Sequence, residues 1–386
     1  MKIKTPFTPI ILTNAFRAMA FGFLGVFSPI YIFQIIIDTA DGGRDIKFAV
    51  LGVLFYLLAF YLVKILTFPL AENLSYKLGF KNIIALSIFP LLIFISSLLL
   101  AKDNLFFLGL AALFGGMQAA LFWFGYHGLF IKCVSERSFG FSEGIVRGIG
   151  MLTLIITPIL GSILVLTWGF RGLFLAAAFL SIISSIAVLF APKEKPYKDV
   201  SFLKVFSLFK SNLNPFFAYL GHGVEFIVYV SIWRIFLILI VGDILSYGEI
   251  TSGGILFAFL ITLLIGKWVD KAKGKSIVTL GSLLGSLSWL FRTIVTLPLF
   301  IIGVDGLYRI TEQMLFIPMN VESYKKALRG WVSNALYFRE ISLNLGHIIA
   351  LIISIIMISS NLPLWSPFLL AFFGNLAPIL MRKEFK

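Results

Sequence analysis

The sequence has 386 residues, of which 59% are hydrophobic and only 13% are charged. Because about a quarter of the residues of a soluble domain are charged, this composition excludes an ordinary soluble protein and indicates a membrane protein. The single cysteine, Cys133, excludes an intramolecular disulfide and a multi-cysteine metal site.

Apolar runs recur along the whole chain, and each is long enough to cross a hydrocarbon core of about 30 Å as a helix. They predict about twelve spans, with no soluble domain left over. The predicted spans are residues 9–37, 48–68, 82–101, 104–131, 145–167, 170–191, 214–241, 250–266, 276–297, 298–321, 331–358 and 364–381. Because Arg17 interrupts the first apolar stretch before an Ala-Met-Ala sequence, we interpret that stretch as an uncleaved span rather than a signal peptide.

The basic residues are distributed unevenly between the connections. Most of the 32 lysines and arginines lie at the termini and in the even-numbered connections, whereas the odd-numbered connections hold only Arg44, Lys47, Lys102 and Arg171. This asymmetry predicts a protein of the cytoplasmic membrane with both termini in the cytoplasm. Orientation and attraction to anionic lipid therefore explain the net charge of +14 better than nucleic-acid binding does. Five arginines are expected more than three residues inside the ends of predicted spans: Arg17, Arg234, Arg292, Arg309 and Arg339.

The longest connection separates six spans from six. It predicts two bundles, residues 1–191 and 214–386, joined by a cytoplasmic linker at 192–213. Within the linker, apolar residues recur at helical spacing with lysines between them, which indicates a short amphipathic helix on the membrane surface. These apolar residues are Phe202, Val205, Phe206, Phe209 and Leu213.

The connections of the two halves resemble each other. "PLAENLSYKLGFKN" after the second span and "GKWVDKAKGKS" after the eighth each contain an acidic residue, then basic residues and a late glycine. The connections after the fourth and tenth spans also match each other. This repetition indicates an internal duplication, which is common in transporters.

Two motifs resemble those of the major facilitator superfamily. The first is a gating loop in the second half, formed by Gly266, Asp270, Gly274 and Lys275. Its first-half counterpart is degraded and fits well only at Gly79 and Lys81. The second motif is "TPILGS" on the fifth span, which is similar to a Gly-Pro-x-x-Gly-Gly stretch of the superfamily's antiporters.

The resemblance extends over nearly the whole chain. It implies an all-α membrane protein of about 12 transmembrane helices in two pseudo-symmetric six-helix bundles, which moves a small molecule by alternating access. It also implies that the first, fourth, seventh and tenth helices line a central cavity. The antiporter-like stretch slightly favours export.

Charged residues inside the tenth span indicate a site. Asp305, Arg309 and Glu312 recur at i, i+4 and i+7, so one face of a helix carries all three. A charge at this depth is costly unless it is paired or faces water. Two interpretations stay open: Arg309 or Arg17 binds the substrate while an acidic residue exchanges a proton, or the three charges form an ion-pair network that fixes helix register.

Other spans contribute polar residues that could share the cavity. His222, Glu225 and Tyr229 form a stripe on the seventh span, whereas Arg292 is expected to snorkel at the outer end of the ninth. Glu340, Asn344 and His347 share a face of the eleventh. The substrate-binding or proton-coupling candidates are Asn14, Arg17, Tyr126, His127, His222, Glu225, Tyr229, Asp305, Arg309, Glu312 and Glu340.

Together these features predict a secondary active transporter, with a proton as the expected coupling ion. The sequence contains no recognisable nucleotide-binding loop or metal-ligand spacing, so no cofactor is expected and energy must come from a gradient. The expected partners are a small-molecule substrate, the coupling ion and membrane lipids, and a monomer is expected. Two alternatives are a polytopic membrane enzyme acting on a lipid-linked substrate and a non-transporting sensor with the same architecture.

Overall fold

A computed structural model describes residues 7–39, 45–195, 208–271, 274–295, 297–329 and 332–383, and every regular element in these ranges is a helix. We number the helices in chain order. They are α1 Thr8–Thr39, α2 Ile46–Leu78, α3 Phe80–Leu100, α4 Phe106–Cys133, α5 139–168, α6 170–189, α7 Leu213–Val241, α8 Ile244–Asp270, α9 Gly274–Phe291, α10 Pro298–Arg329, α11 Val332–Ser359 and α12 Phe368–Met381.

The described helices confirm the all-α membrane fold and agree with the predicted number of spans. Seven helical stretches of the described chain are long and apolar enough to cross a membrane, and one of them, Glu136–Leu189, contains both α5 and α6. Gly169 divides this stretch, with φ 67° and ψ −176°. A residue with a side chain rarely adopts this conformation, so a glycine stands where α5 ends and α6 begins.

Several helices are longer than the apolar runs that predicted them. Helix α2 continues past residue 68 to Leu78, so most of the loop predicted after the second span is helical. The connection that remains is Gly79, with φ 90°. Hydrophobicity marks the part of a helix that lies in lipid, whereas the helix itself continues as long as its backbone hydrogen bonds do.

Two aspartates lie at helix starts, Asp45 at the start of α2 and Asp243 at the start of α8. Asp45 accepts hydrogen bonds from the backbone N–H groups of Lys47 and Phe48, at 2.9 and 3.2 Å, at the start of α2. Asp243 accepts one from the Ser246 N–H at 2.8 Å at the start of α8. These side chains satisfy backbone donors that have no partner within the helix.

The two sets of six helices meet along two seams. Helix α8 packs along α5, and α2 packs along α11. In the first seam the Ser162 hydroxyl donates to the Ile244 carbonyl at 2.6 Å, and Gly248 lies against Pro158 and Ser162. Glycine at this contact lets the two helix backbones approach closely. The seams leave space between them for a cavity.

The linker is described only at its ends. Phe202, Val205 and Phe206 of the predicted amphipathic helix lie outside the described residues. Phe209 packs against the rings of Phe216 and Phe338, with centroids 5.3 and 5.2 Å away.

Candidate functional site

A cavity of 370 Å³ lies between the two halves. Its walls come mainly from α1, α2, α4, α7 and α11, whereas α10 contributes Phe316 alone among the described lining residues. The cavity is the right size for a small molecule. The expectation that α1, α4 and α7 line it agrees with the structure, and α2 and α11 contribute where α10 was expected.

Four buried side chains form an ionic group at one side of the cavity, which we call the cavity cluster: Lys64, His127, Arg339 and Glu340. Lys64 Nζ lies 3.4 Å from Glu340 Oε2. Arg339 Nη1 donates to Glu340 Oε1 at 2.6 Å, and His127 Nε2 lies 3.9 Å from the same oxygen. Because Lys64 and His127 come from the first half and the other two from the second, the cluster joins the halves.

Sequence reasoning missed Lys64. Its place near the end of an apolar run made it look like one of the basic residues that follow the second span. Since α2 continues to Leu78, Lys64 lies inside the helix and is 7% exposed. The signal that could have identified Lys64 is that it lies within the predicted span 48–68, one helical turn before the end of that span.

His127 connects the cavity cluster to the end of α10. Its Nδ1 lies 2.8 Å from the Tyr324 hydroxyl, and its ring stacks on Trp123 at 5.5 Å. Tyr126, a predicted site residue on the same helix, is buried among Phe122 and Phe130 and is not among the residues that line the cavity.

A second buried carboxyl lies behind the wall of α7. His222 lines the cavity, and its Nδ1 is 2.9 Å from Glu225 Oε1, although the contact lacks hydrogen-bond geometry. Neither oxygen of Glu225 has a hydrogen-bond partner among the described residues, and its side chain is fully buried. Burial removes the hydrogen bonds that this carboxyl would make with water, and the described side chains do not replace them.

The charges of α10 divide into two sets. Asp305 Oδ2 accepts from Arg309 Nε at 2.6 Å, and Asp305 Oδ1 accepts from Arg292 Nη2 and Trp233 Nε1, each at 3.2 Å. The Tyr229 hydroxyl donates to Asp305 at 3.5 Å. We call these five residues the Asp305 network. None of them is among the cavity-lining residues, and all lie in the second half.

The prediction that Arg292 snorkels is wrong. The side chain is fully buried, and its guanidinium lies 4.5 to 4.6 Å from the ring centroids of Trp233, Trp289 and Tyr308. The carboxylate of Asp305 and these aromatic faces replace the solvation that Arg292 would have at the membrane surface. This closed arrangement favours the structural interpretation of Asp305 and Arg309.

Glu312 belongs to a different contact, between α5 and α10. Its Oε1 lies 3.8 Å from Arg147 Nη1, and its other oxygen accepts from Gln313. Arg147 also donates to Glu143 Oε1 at 3.2 Å, and Asn320 Nδ2 donates to that oxygen at 2.9 Å. These residues join α5 of the first half to α10 of the second. Sequence reasoning missed Glu143 and Arg147, although their i, i+4 spacing was a signal that could have found them; only their partners on α10 are distant in sequence.

The family model of the Major Facilitator Superfamily matches residues 10–333. The chain belongs to the major facilitator superfamily. It is a multi-pass membrane protein of a transporter family. Among solved structures it is similar to the E. coli fucose:proton symporter FucP, with a TM-score of 0.70, 11% sequence identity and coverage of 99% of each chain. At this identity the likeness shows the shared fold. No curated protein matches the chain.

The loop motif of the superfamily makes a contact between the halves here. Asp270 accepts hydrogen bonds from the backbone N–H groups of Gly140 and Phe141, at 2.8 and 2.7 Å, at the start of α5. A carboxylate there also interacts favourably with the positive end of the helix dipole. Gly274 begins α9, Lys275 is exposed, and Gly266 lies within α8.

The degraded first-half motif of this superfamily member makes different contacts. Glu72 accepts from the Tyr76 hydroxyl at 2.9 Å and from the Tyr337 hydroxyl of α11. Lys81 donates to the carbonyls of Leu189 and Ala191, at 2.9 and 2.8 Å, and so caps the end of α6.

Two predicted site residues on α1, Asn14 and Arg17, form hydrogen bonds with other residues of the first half. Arg17 Nη2 donates to Gln118 Oε1 at 3.0 Å, and its guanidinium lies 3.3 Å from the ring centroid of Phe122. Asn14 donates to the Val146 carbonyl at 3.1 Å. Neither residue lines the cavity, whereas Gln118 does. The structure therefore brings together His127, His222 and Glu340 of the predicted set, with Glu225 behind His222.

Proposed function

We propose that this protein is a proton-coupled secondary active transporter that carries a small molecule through the central cavity by alternating access. Membership of the superfamily supports transport, and the position of the cavity between two six-helix sets supports a site exposed alternately to each side. The proposal includes bundles at 1–191 and 214–386, termini in the cytoplasm, the cytoplasmic membrane as location and a monomeric state.

The observation that carries the proposal is the ion pair between Lys64 and Glu340. The two residues lie on α2 and α11, which belong to different halves. When the halves rock around the cavity, the separation of this pair changes. A carboxyl that loses a cationic neighbour in a low-dielectric site binds a proton more readily. Arg339 moves together with Glu340 because both residues are on α11. Its contact with the carboxylate therefore reduces the effect of losing Lys64 but does not reverse that effect.

This arrangement gives each charged group a role. Lys64 and Arg339 each contact one oxygen of Glu340 while the pair is intact. A movement of the halves that withdraws Lys64 leaves one oxygen of Glu340 without its cationic neighbour, and this carboxyl is the proposed proton site. Glu225 is the second proton site in the proposal, because His222 connects it to the cavity.

Export is the proposed direction of transport. Its support is the antiporter-like stretch from Thr157 to Ser162 on α5. In this stretch Gly161 lies against Phe27 of α1, and Ser162 bonds to the start of α8. The stretch therefore touches helices of both halves at a place where rocking would be transmitted.

The test uses liposomes that contain the purified protein and a trapped fluorescent pH indicator. Benzenesulfonate, benzyltrimethylammonium and L-fucose, which cross bare lipid slowly, are added outside in turn, and protein-free liposomes give the background. Coupled transport changes the internal pH for at least one class. Antiport raises the internal pH as protons leave, whereas symport lowers it.

Variants identify the proton site. Glu340→Gln is expected to reduce the pH change, and the Glu340→Gln/Glu225→Gln double variant to abolish it, while exchange of the same labelled compound persists, because a neutral amide cannot carry a proton. Glu225→Gln is measured beside it, and Glu249→Gln, at an exposed position of α8, is the matched control. Binding without movement would instead indicate the sensor, and chemical conversion without movement would indicate the enzyme.

A further inference from the structure

The charges that line the central cavity are unbalanced. Among the described lining residues, Lys64, Arg234 and Arg339 are cationic and Glu340 alone is acidic. With the histidines counted as neutral, three positive charges face one negative charge. Glu225 lies behind His222 and is not among the lining residues. Uncompensated positive charge in a low-dielectric cavity is costly, and a bound anion removes that cost.

Two of these cations converge on one carboxylate and retain unused donors. Arg339 Nη1 binds Glu340, but its Nε–H has no hydrogen-bond partner among the described residues although the side chain is only 2% exposed. A guanidinium binds planar anionic groups through two parallel N–H donors, so a free Nε–H is an incomplete anion site. Lys64 Nζ, 3.4 Å from Glu340 Oε2, adds a second cation to the same position.

Arg234 lines the cavity at a different position along α7 from His222. It is twelve residues beyond His222 on α7, which is about 18 Å along a helix at 1.5 Å per residue. No described carboxylate lies within ion-pair distance of it, and its guanidinium lies 5.8 Å from the ring centroid of Tyr229. Positive charge therefore extends along the cavity rather than ending at the cavity cluster.

The remaining wall is mainly apolar and aromatic. Phe60, Phe226, Phe316, Leu343 and Val230 face the cavity, and Trp123 stands beside His127. Ser28, Tyr56, Tyr61 and Gln118 also line the cavity, so the wall offers hydrogen-bonding groups beside its apolar surface, and the charge imbalance is what favours an anion. A cationic compound would meet like charges. A compound with an anionic group and an apolar body satisfies both parts of the lining.

From this distribution we infer that the transported substrate is an organic anion, such as a carboxylate or sulfonate, with an aromatic or branched apolar body. The anionic group binds between Lys64 and Arg339 and displaces Glu340 from part of its contacts. The apolar body lies against Phe226 and Phe316. This inference rests on the proposed function of the cavity as a transport site.

The test measures binding to the full-length protein in detergent by thermal shift. Benzenesulfonate has both features, methanesulfonate lacks the apolar body, benzyltrimethylammonium reverses the charge, and L-fucose is neutral and polar. Benzenesulfonate is expected to raise the melting temperature at concentrations at which the other three have no effect. An equal shift with methanesulfonate would refute the apolar body, and a larger shift with the cation or the sugar would refute the anion.

Variants test the position. Lys64→Gln and Arg339→Gln are each expected to raise the Kd for benzenesulfonate roughly tenfold or more, because each removes a charge-assisted hydrogen bond. Lys77→Gln, at an exposed position of the same helix as Lys64, should leave the Kd unchanged. If a glutamine variant does not fold, Lys64→Arg, which keeps the charge, should retain binding, whereas Arg339→Lys, which keeps the charge but loses the paired N–H donors, should weaken it. Unchanged affinity in both glutamine variants would overturn the inference.

Transport of labelled benzenesulfonate separates this inference from the proposed function. Binding without counterflow in liposomes would refute transport and leave the anion site. Counterflow of L-fucose or of the cation, without any binding of benzenesulfonate, would refute the anion and leave the transporter.

Discussion

Lys64 of α2 and Glu340 of α11 form a buried ion pair at 3.4 Å, and the two residues belong to different halves of the molecule. Both residues line the cavity, and under the proposed function movement of the halves would change their separation. Arg339 and His127 contact the same carboxylate, so the pair is part of a cluster rather than an isolated contact.

A double-mutant cycle tests whether this pair stabilises the contact between α2 and α11. Lys64→Met and Glu340→Gln are each expected to lower the free energy of unfolding, and the double variant should lose less than the sum. The coupling free energy should be about 0.5 to 3 kcal/mol, the range for residues in contact. The measurement is unfolding in detergent followed by circular dichroism. Additive effects would show that the two charges do not interact.

The Asp305 network is expected to be structural. Asp305→Asn leaves Arg292 and Arg309 buried without a carboxylate, so the free energy of unfolding should fall by about 3 to 5 kcal/mol. Asp243→Asn is the matched control, because it changes the same residue type at an exposed helix start where asparagine caps equally well. A folded Asp305→Asn protein that keeps its stability but no longer binds benzenesulfonate would make the network the binding site.

Asp270 is expected to hold the α5–α8 ends of the two halves together. Asp270→Ala removes two hydrogen bonds to the start of α5, each worth about 1.5 to 3 kcal/mol when one partner is charged. The population in which these ends separate should therefore rise at least about tenfold. Spin labels at Asn73→Cys and Leu328→Cys, in a Cys133→Ser protein, report the distance between the halves.

The same labels provide the control for Asp270. Asp243→Ala removes a helix cap within one half and should leave the distance distribution between labels unchanged. An unchanged distribution in Asp270→Ala as well would mean that this carboxylate caps α5 without controlling the contact between halves.

Close packing of α7 on α11 depends on two glycines. A methyl group at Gly223 would overlap the backbone of Leu343, and one at Gly346 would overlap the backbone of Leu220. Because backbone atoms cannot yield as a flexible side chain can, Gly223→Ala should destabilise the protein by about 1 to 3 kcal/mol.

Gly109→Ala serves as the comparison for the packed glycines. No atom lies within 4 Å of the position that a methyl group would take at Gly109. Alanine in a helix loses less backbone entropy on folding, so this variant should be neutral or more stable by about 0.5 to 1 kcal/mol. Thermal unfolding of both variants decides the matter, and equal melting temperatures would contradict the packing argument.

The sequence predicted the helices better than their ends and their partners. Asp305 and Arg309 were placed on one face by their spacing, and the structure pairs them, since a helix brings residues i and i+4 together wherever it packs. The spacing also put Glu312 on that face, but its cationic partner is Arg147 of α5. The roles of the predicted site residues, the exact bundle boundaries and the cytoplasmic termini stay predictions.

The sequence by itself determined that this is an all-α membrane protein with about twelve apolar helices in two related halves. The reason is that the length of each apolar run and the position of the flanking charges decide which segments cross a bilayer, and both are local properties of the chain. Only the tertiary structure decided which charges of different helices meet. Lys64 joins Glu340 because α2 and α11, which are distant in sequence, pack together, and Arg292 joins Asp305 because the neighbouring helices α9 and α10 do. A buried charge is stable only where such packing supplies its partner.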